Sequence, residues 1–498
     1  YYDRYSDGGF KRRLNDGFSC ENTLINYLPS YTAVGHSVIF TGSIPAIDGI
    51  VGNDWTDQVS GKSWYCTDDS LARTVGAPGK AGEMSPHNLL VSTITDELRI
   101  ATNFKSRVVG ISLKDRAAIL RAGHAANGAF WFDDASANFI TSTYYMQNLP
   151  DWVKKFNTSD EPQKLVENGW NTLYPVSTYS QSTVDNVSWE GKFKGESAAV
   201  FPHDIKKFYE NDRENLRSTP FGNTLTLDFA KAAVSGYNLG HGPATDFLTI
   251  NCASTDYVGH KYGPNSIEIE DTYLRLDRDL ATFFLFLDQE VGKGNYLVFL
   301  TADHGAANAI GFMKDHNIPA DYLVSKEITS PLNDFLNRKF GVENLVSSFI
   351  NYHFSFDLKK IGENKLDFEA VKKAAVSFLK KQPGIEFAVD IDHIGDAPVP
   401  EPIKTDIING YYSKRCGPVM IIADPGWFGG HEGGTGTTHG NWNPYDTHIP
   451  LIFMGWGIKH GATNRTIRMS DISPTLAALL HIQMPNGNVG DVIREVAK

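Results

Sequence analysis

The sequence predicts an α/β fold, a mainly parallel sheet sandwiched by helices with inserted cap regions. Three observations lead there. Four runs rich in apolar, β-branched and aromatic residues have the length of buried strands: VVGISL from Val108, DFLTINCAS from Asp246, NYLVFLTADHG from Asn295 and HIPLIFMGWG from His448. Helical patterns lie between them, among them EDTYLRLDRDLATFFLFLDQEVG over 270–292, which closes on a glycine. Strand, helix, strand in succession builds a parallel sheet with helices on both faces.

The 498 residues read as a single such domain, although the length alone would allow about three. Two stretches read as insertions. Residues from about 117 to 240 are aromatic, polar and rich in loop signals such as NTSDEPQ and STYSQSTVDNVS. From about 310 to 410 the pattern turns to basic amphipathic helices, FEAVKKAAVSFLKKQPG, then a strand, IEFAVDID, and a proline-rich return, DAPVPEPIK. The opening, YYDRYSDGGFKRRL, has no apolar strand, so the first core strand is expected upstream of Tyr1.

At 41% hydrophobic and 21% charged the composition is that of a soluble globular protein, and no apolar run approaches the roughly 18 residues of a membrane span. The formal charge of −12 argues against a nucleic-acid surface and repels anions at long range, so an anion site must build its own local positive field. The four cysteines, Cys20, Cys66, Cys252 and Cys416, form no Cys-x-x-Cys pair, which excludes a zinc ribbon or thioredoxin motif and leaves one or two disulfides open.

Chemistry-bearing residues gather at the predicted strand ends. In STDYVGHKYG, Asp256 and His260 are four apart and share one helical face, where a carboxylate and an imidazole can grip one cation. Alone, the pair reads as readily as a surface ion pair. In VFLTADHG, Asp303 and His304 follow a strand, at the sheet edge where open α/β folds place their sites. His439 lies in the glycine- and threonine-rich GGHEGGTGTTHGNWNPYDTHIP, where periodicity does not separate it from His431 and His448.

Two carboxylates and three imidazoles make a nitrogen and oxygen set suited to zinc or manganese. Two such ions would clamp the attacking and leaving oxygens of an in-line phosphoryl displacement. Thr32 fits as attacker, its hydroxyl needing a nearby cation to react as alkoxide. Asn53, in the turn signal VGND, fits as an N–H donor to a nonbridging oxygen. In GISLKDRAAIL, period two along an extended strand exit places Lys114 and Arg116 on one side and Asp115 on the other, two cations for a dianionic phosphate.

Taken in order, YTAVGHSVIFTGSIPAIDGIVGND, STDYVGHKYG, LTADHG and GTTHG resemble the alkaline phosphatase superfamily, specifically its bacterial PafA-type phosphatases, which share a core with nucleotide pyrophosphatase/phosphodiesterases. DISPTLAALLHIQMPNG resembles the family's closing helix. The resemblance spans most of the chain. It implies Thr32 as a nucleophile forming a covalent phosphothreonine, Asn53 as the transition-state amide, and two Zn2+ ions. Asp256, His260 and His439 match the ligands of one zinc; Asp303 and His304, with Thr32, match ligands of the other. It selects His439 over His431.

Lys114 and Arg116 match the pair with which related monoesterases hold the phosphoryl oxygens and which the diesterases lack. The expected substrates are therefore small-molecule phosphate monoesters, with no nucleic acid and no membrane span, for a monomer that is periplasmic or secreted. The alternatives are a phosphodiesterase or nucleotide pyrophosphatase of the same superfamily, and a catalytically impaired metal- or phosphate-binding relic. No cysteine stands in the Cys-x-Pro-x-Arg setting of a sulfatase. Two departures accompany the resemblance. Asp48 stands where many relatives carry histidine. The family's remaining second-zinc aspartate belongs to the upstream strand; Asp3 and Asp7 are the substitutes at hand but follow no apolar strand, so the second site is expected to be under-liganded in this chain.

Overall fold

A computed structural model describes residues 1–497. The Val108–Ser112 strand is buried along its whole length, as its apolar run requires. It pairs in parallel with Phe247–Asn251 on one side and Gly128–Asp133 on the other, and Asn138–Ser142 and Thr74–Val75 extend that sheet antiparallel. The sheet thus draws two strands from the stretch after residue 117 that reads as an insertion. The remainder of that stretch, chiefly the Phe221–Tyr237 helix, covers the sheet through Leu225, Phe229, Ala230 and Ala233. Phe229 stacks on Phe139 at a centroid distance of 3.8 Å.

A second sheet runs in the order Leu297–Thr301, Leu451–Gly455, Phe18–Cys20 and Gly461–Thr463. Here the expectation of four parallel strands needs correction. Leu451–Gly455 pairs antiparallel with Leu297–Thr301, from Leu297 opposite Gly455 to Thr301 opposite Leu451. Strand composition reports burial and carries no direction, which depends on the connections.

Among the described residues no ladder joins the Phe247 strand to the Leu297 strand, although Phe40 packs against both Phe247 and Phe299, at 6.0 and 6.1 Å. Both strands are only half buried, unlike the Val108 strand. Both edge strands thus pack against Phe40.

Most of residues 325–410, joined by the Val419–Ala423 strand, form a separate layer. The antiparallel strands Val346–Ile350, His353–Phe356, Val419–Ala423 and Ile385–Asp390 carry the Ser325–Phe340 and Phe368–Leu379 helices over their own apolar core. All four cysteines are free, so neither sheet is held by a disulfide. No helix among the described residues is long and apolar enough to cross a membrane.

Leu332 is 0% exposed in the core of this second layer. Leu332→Ala is expected to destabilise the protein by about 2–5 kcal/mol, read as a lower urea midpoint at unchanged slope.

Candidate active site and metal centre

The site forms where the carboxyl ends of the strands meet three helix termini. Thr32 is the first residue of the Thr32–Thr41 helix and is 2% exposed. Tyr31, the preceding residue, offers no side-chain cap; the Asn53 carbonyl oxygen accepts from Ala33 N–H at 3.0 Å in its place. That bond fixes the Asn53 amide beside Thr32 and leaves its N–H2 group free to donate elsewhere. The helix approaches the Asp303 turn closely at Gly35, where a Cβ would lie 2.4 Å from the Asp303 carbonyl oxygen. Thr32 Oγ1 stands 3.2 Å from His304 Nε2.

The Ser254–Tyr262 helix places Asp256 and His260 one turn apart, with His260 Nε2 3.2 Å from Asp256 Oδ1. His304 Nε2 lies 3.7 Å from the same oxygen and 3.4 Å from Asp303 Oδ2. The His304 and His439 rings stack at 3.3 Å. Asp256, His304 and His439 each present a donor atom within 4.8 Å of the others.

The imidazoles are aimed by backbone carbonyls. Nδ1–H of His260 donates to Thr437 O at 2.8 Å, that of His304 to Gly305 O at 2.8 Å, and that of His439 to Ser30 O at 2.7 Å. Each Nε2 is thereby directed into the site, and in the neutral ring it is the nitrogen free to ligate a metal. The loop bearing His439 is fixed from both sides. Thr437 N–H donates to His260 O at 2.9 Å, and Asp446 Oδ2 accepts from Gly440 and Asn441 N–H at 3.0 and 2.8 Å. Gly436 adopts φ +71°, and a Cβ there would lie 1.9 Å from His260 O.

The electrostatics suit a cation. Burial opposes the charge of Asp256, but Lys114 and then His260 hold its carboxyl well below the usual range. Burial also opposes Asp303, which His304, His36 and Lys114 hold down at about 2. Burial and the neighbouring His304 and His260 keep His439 neutral. The buried donors thus include two carboxylates and the neutral His439 imidazole, which fits a divalent ion; burial opposes the charge of His260, but Asp256 beside it raises its pKa.

The lysine and arginine depart from the period-two expectation. The strand ends at Ser112 and the Asp115–Ala122 helix begins three residues on, so Lys114 is its N-cap and Arg116 lies in its first turn. The Lys114 ammonium bonds an Asp256 carboxylate oxygen and lies 4.7 Å from the Tyr257 ring centroid. Arg116 donates to Tyr65 Oη at 3.1 Å, and Asp115, far from pointing the other way, accepts from that same hydroxyl at 2.7 Å. Lys114 and Arg116 nevertheless line one cavity of about 300 Å³, with Tyr65, Trp131, Arg217 and Tyr257.

His431 is exposed, and His448 Nε2 donates to Glu21 O at 2.9 Å, away from the site. Asp3 and Asp7 are exposed. Asp48 is buried and accepts from Ser37 Oγ at 3.1 Å and Ile50 N–H at 2.8 Å, with burial pushing its carboxyl up to about 7. His36 escaped the sequence reading. One helical turn after Thr32, it lies 3.5 Å from Asp303 Oδ2 with neither ring nitrogen hydrogen-bonded, and burial pushes it down to about 3. The i,i+4 spacing that picks out Asp256 and His260 also relates Thr32 to His36. A second group, Glu369, Asp390 and His393, lies at the surface around Lys372, whose ammonium reaches Glu369 at 2.9 Å and Asp390 at 3.2 Å and neutralises it.

Residues 2–446 match the family model of type I phosphodiesterase / nucleotide pyrophosphatase. The chain is 52% identical over 498 residues to alkaline phosphatase PafA of Elizabethkingia meningoseptica, covering 100% of this chain and 91% of that protein. The chain belongs to the PafA-type alkaline phosphatases. Alkaline phosphatase PhoV of Synechococcus elongatus is 51% identical, with 100% of this chain and 90% of that protein covered. The crystal structure of wild-type PafA superposes with a TM-score of 0.98 over 100% of this chain and 95% of that one, at 52% identity. The α/β fold expected from the strand pattern is therefore that of the PafA-type phosphatases.

His439→Ala is expected to lower the metal retained per chain after dialysis, measured by mass spectrometry of the dissolved metal, whereas His431→Ala leaves it unchanged. Equal retention in both variants would remove His439 from the ligand set.

Proposed function

We propose that this phosphatase hydrolyses small phosphate monoesters through a covalent phosphothreonine at Thr32, with two zinc ions held in the site. The observation that carries the reading is Thr32 Oγ1 at 3.2 Å from His304 Nε2, in a cluster where Asp256, His304 and His439 present donor atoms within 4.8 Å of one another, beside a helix start whose Ala33 amide is met by Asn53. Asp256, His260 and His439 would hold one ion; Asp303, His304 and Thr32 would hold the other. Bound there, the ions would supply Lewis-acid stabilisation to the attacking and leaving oxygens.

The chain's own residues do the rest. Thr32 Oγ1 gives its proton to solvent and forms a bond to phosphorus as the ester P–O bond breaks, and the leaving alkoxide takes a proton from solvent to depart as the alcohol. The Asn53 amide and the Lys114 and Arg116 cations meet the nonbridging oxygens, where negative charge is held through the transition state. Water then cleaves the Thr32–phosphate bond and restores the hydroxyl, releasing inorganic phosphate. The cavity beside Lys114 and Arg116 gives the alcohol portion room. Because a monoester presents one more anionic oxygen than a diester, two cations at that point favour the monoester.

The same reading places the protein in the periplasm or medium as a monomer, on the strength of the family resemblance; activity confined to the cytosolic fraction would contradict that.

Thr32→Ala is expected to abolish covalent ³²P labelling by a phosphate ester, and a persisting label would refute Thr32 as nucleophile. Replacing Lys114 and Arg116 by Ala is expected to lower kcat/KM for p-nitrophenyl phosphate by about 100-fold more than for the bis-ester. Equal losses on both esters would favour the phosphodiesterase reading.

A further inference from the structure

Arg217 lies in the short 3-10 helix Arg213–Ser218, within the stretch that reads as an insertion, and is only 9% exposed. A buried guanidinium is tolerated when its donors find acceptors. This one finds them on three separate elements. Nη1 donates to Leu113 O at 2.7 Å and to Tyr257 Oη at 3.2 Å, and Nη2 donates to Phe132 O at 2.9 Å. Nε donates to the two Asp134 carboxylate oxygens at 2.8 and 3.1 Å.

Leu113 follows the Val108–Ser112 strand, and Phe132 belongs to the Gly128–Asp133 strand that pairs with it in parallel. Arg217 therefore ties the carboxyl ends of two neighbouring strands to Tyr257 of the Ser254–Tyr262 helix. The chain just after Arg217 fixes the start of that same helix, where Ser254 N–H donates to Asn223 Oδ1 at 3.0 Å.

These attachments are the surroundings of Lys114. The lysine directly follows Leu113, and its ammonium lies 4.7 Å from the Tyr257 ring centroid while it bonds Asp256. A lysine stem is flexible, so the place of its charge depends on what the two ends rest against. Arg217 holds both supports, the backbone at Leu113 O and the ring at Tyr257 Oη. Arg116 depends on a different contact, Tyr65 Oη at 3.1 Å.

Arg217 lines the same cavity as Lys114 and Arg116, yet it is poorly placed to grip phosphate itself. One N–H on Nε, two on Nη1 and one on Nη2 are engaged by the protein, which leaves a single donor of the five. Asp134 also offsets its charge, so it adds little field at the anion.

We propose that Arg217 is the positioning residue of Lys114. It fixes the strand exit before the lysine and the Tyr257 ring beside the ammonium, and so places the charge that a dianionic phosphoryl group meets. The inference rests on the reading that Lys114 holds the phosphoryl oxygens of a monoester.

A double-mutant cycle on the full chain, kept saturated with zinc, tests it. Arg217→Met, Lys114→Ala and the double variant are assayed on p-nitrophenyl phosphate and on the bis-ester. Arg217→Met is expected to lower kcat/KM for the monoester by about 10–100-fold and to weaken inhibition by inorganic phosphate in step, with the bis-ester within about 2-fold of wild type. In the Lys114→Ala background the same substitution should change nothing further. Losses that multiply in the double variant overturn the proposal. So does full monoester activity in Arg217→Met, or a loss on both esters by that variant where Lys114→Ala spares the bis-ester. If Lys114→Ala alone costs both esters equally, the monoester reading has failed, and the cycle still reports whether Arg217 acts through Lys114. Should Arg217→Met not fold, Tyr257→Leu, which removes the ring that links the two cations, carries the same expectation.

Discussion

The site depends on three hydrogen bonds from imidazole Nδ1–H groups to backbone carbonyls. Thr437 O, Gly305 O and Ser30 O belong to three segments far apart in sequence, and each fixes the tautomer and direction of one histidine. A free imidazole rotates and exchanges tautomers; these three do neither while the backbone holds. Because His260 and Thr437 bond reciprocally through side chain and backbone, the Asp256 helix and the His439 loop move as one piece. Thr32 is drawn in by a different device, the close approach of its helix to the Asp303 turn at Gly35. The chemistry therefore rests on backbone geometry more than on the reactivity of any one side chain.

That geometry has to work in a chain of net charge −12. The protein answers with local compensation. Lys114 contacts Asp256, Arg116 stays charged beside Tyr65 and Asp115 against the cost of its burial, and His36 waits neutral beside Asp303. Lys114 thus sits where a buried carboxylate needs balance.

Much of the site was legible in the residues. Asp256 and His260 share a helix face because 3.6 residues per turn demands it, and Asp303 with His304 ends a strand as the apolar run ahead of them implied. Lys114 and Arg116 were singled out for a wrong local reason: the strand stops at Ser112, and a helix start places the two cations. The antiparallel course of Leu451–Gly455 was illegible, because apolarity is the same in either direction. His36 and Asp446 were missed, one hidden in an apolar helix pattern and the other in a turn.

The sequence by itself determined the α/β class and the order of the metal-ligating candidates, since periodicity and motif spacing are local properties, while His439 was chosen over His431 by resemblance alone. Only the tertiary structure decided which atoms meet: Thr32 Oγ1 at His304 Nε2, Asn53 on the Ala33 amide, and Phe40 against Phe247 and Phe299. The first of these joins residues 272 positions apart. The distances follow from how the layers pack around Phe40 and Gly35, and no stretch of chain encodes that packing alone.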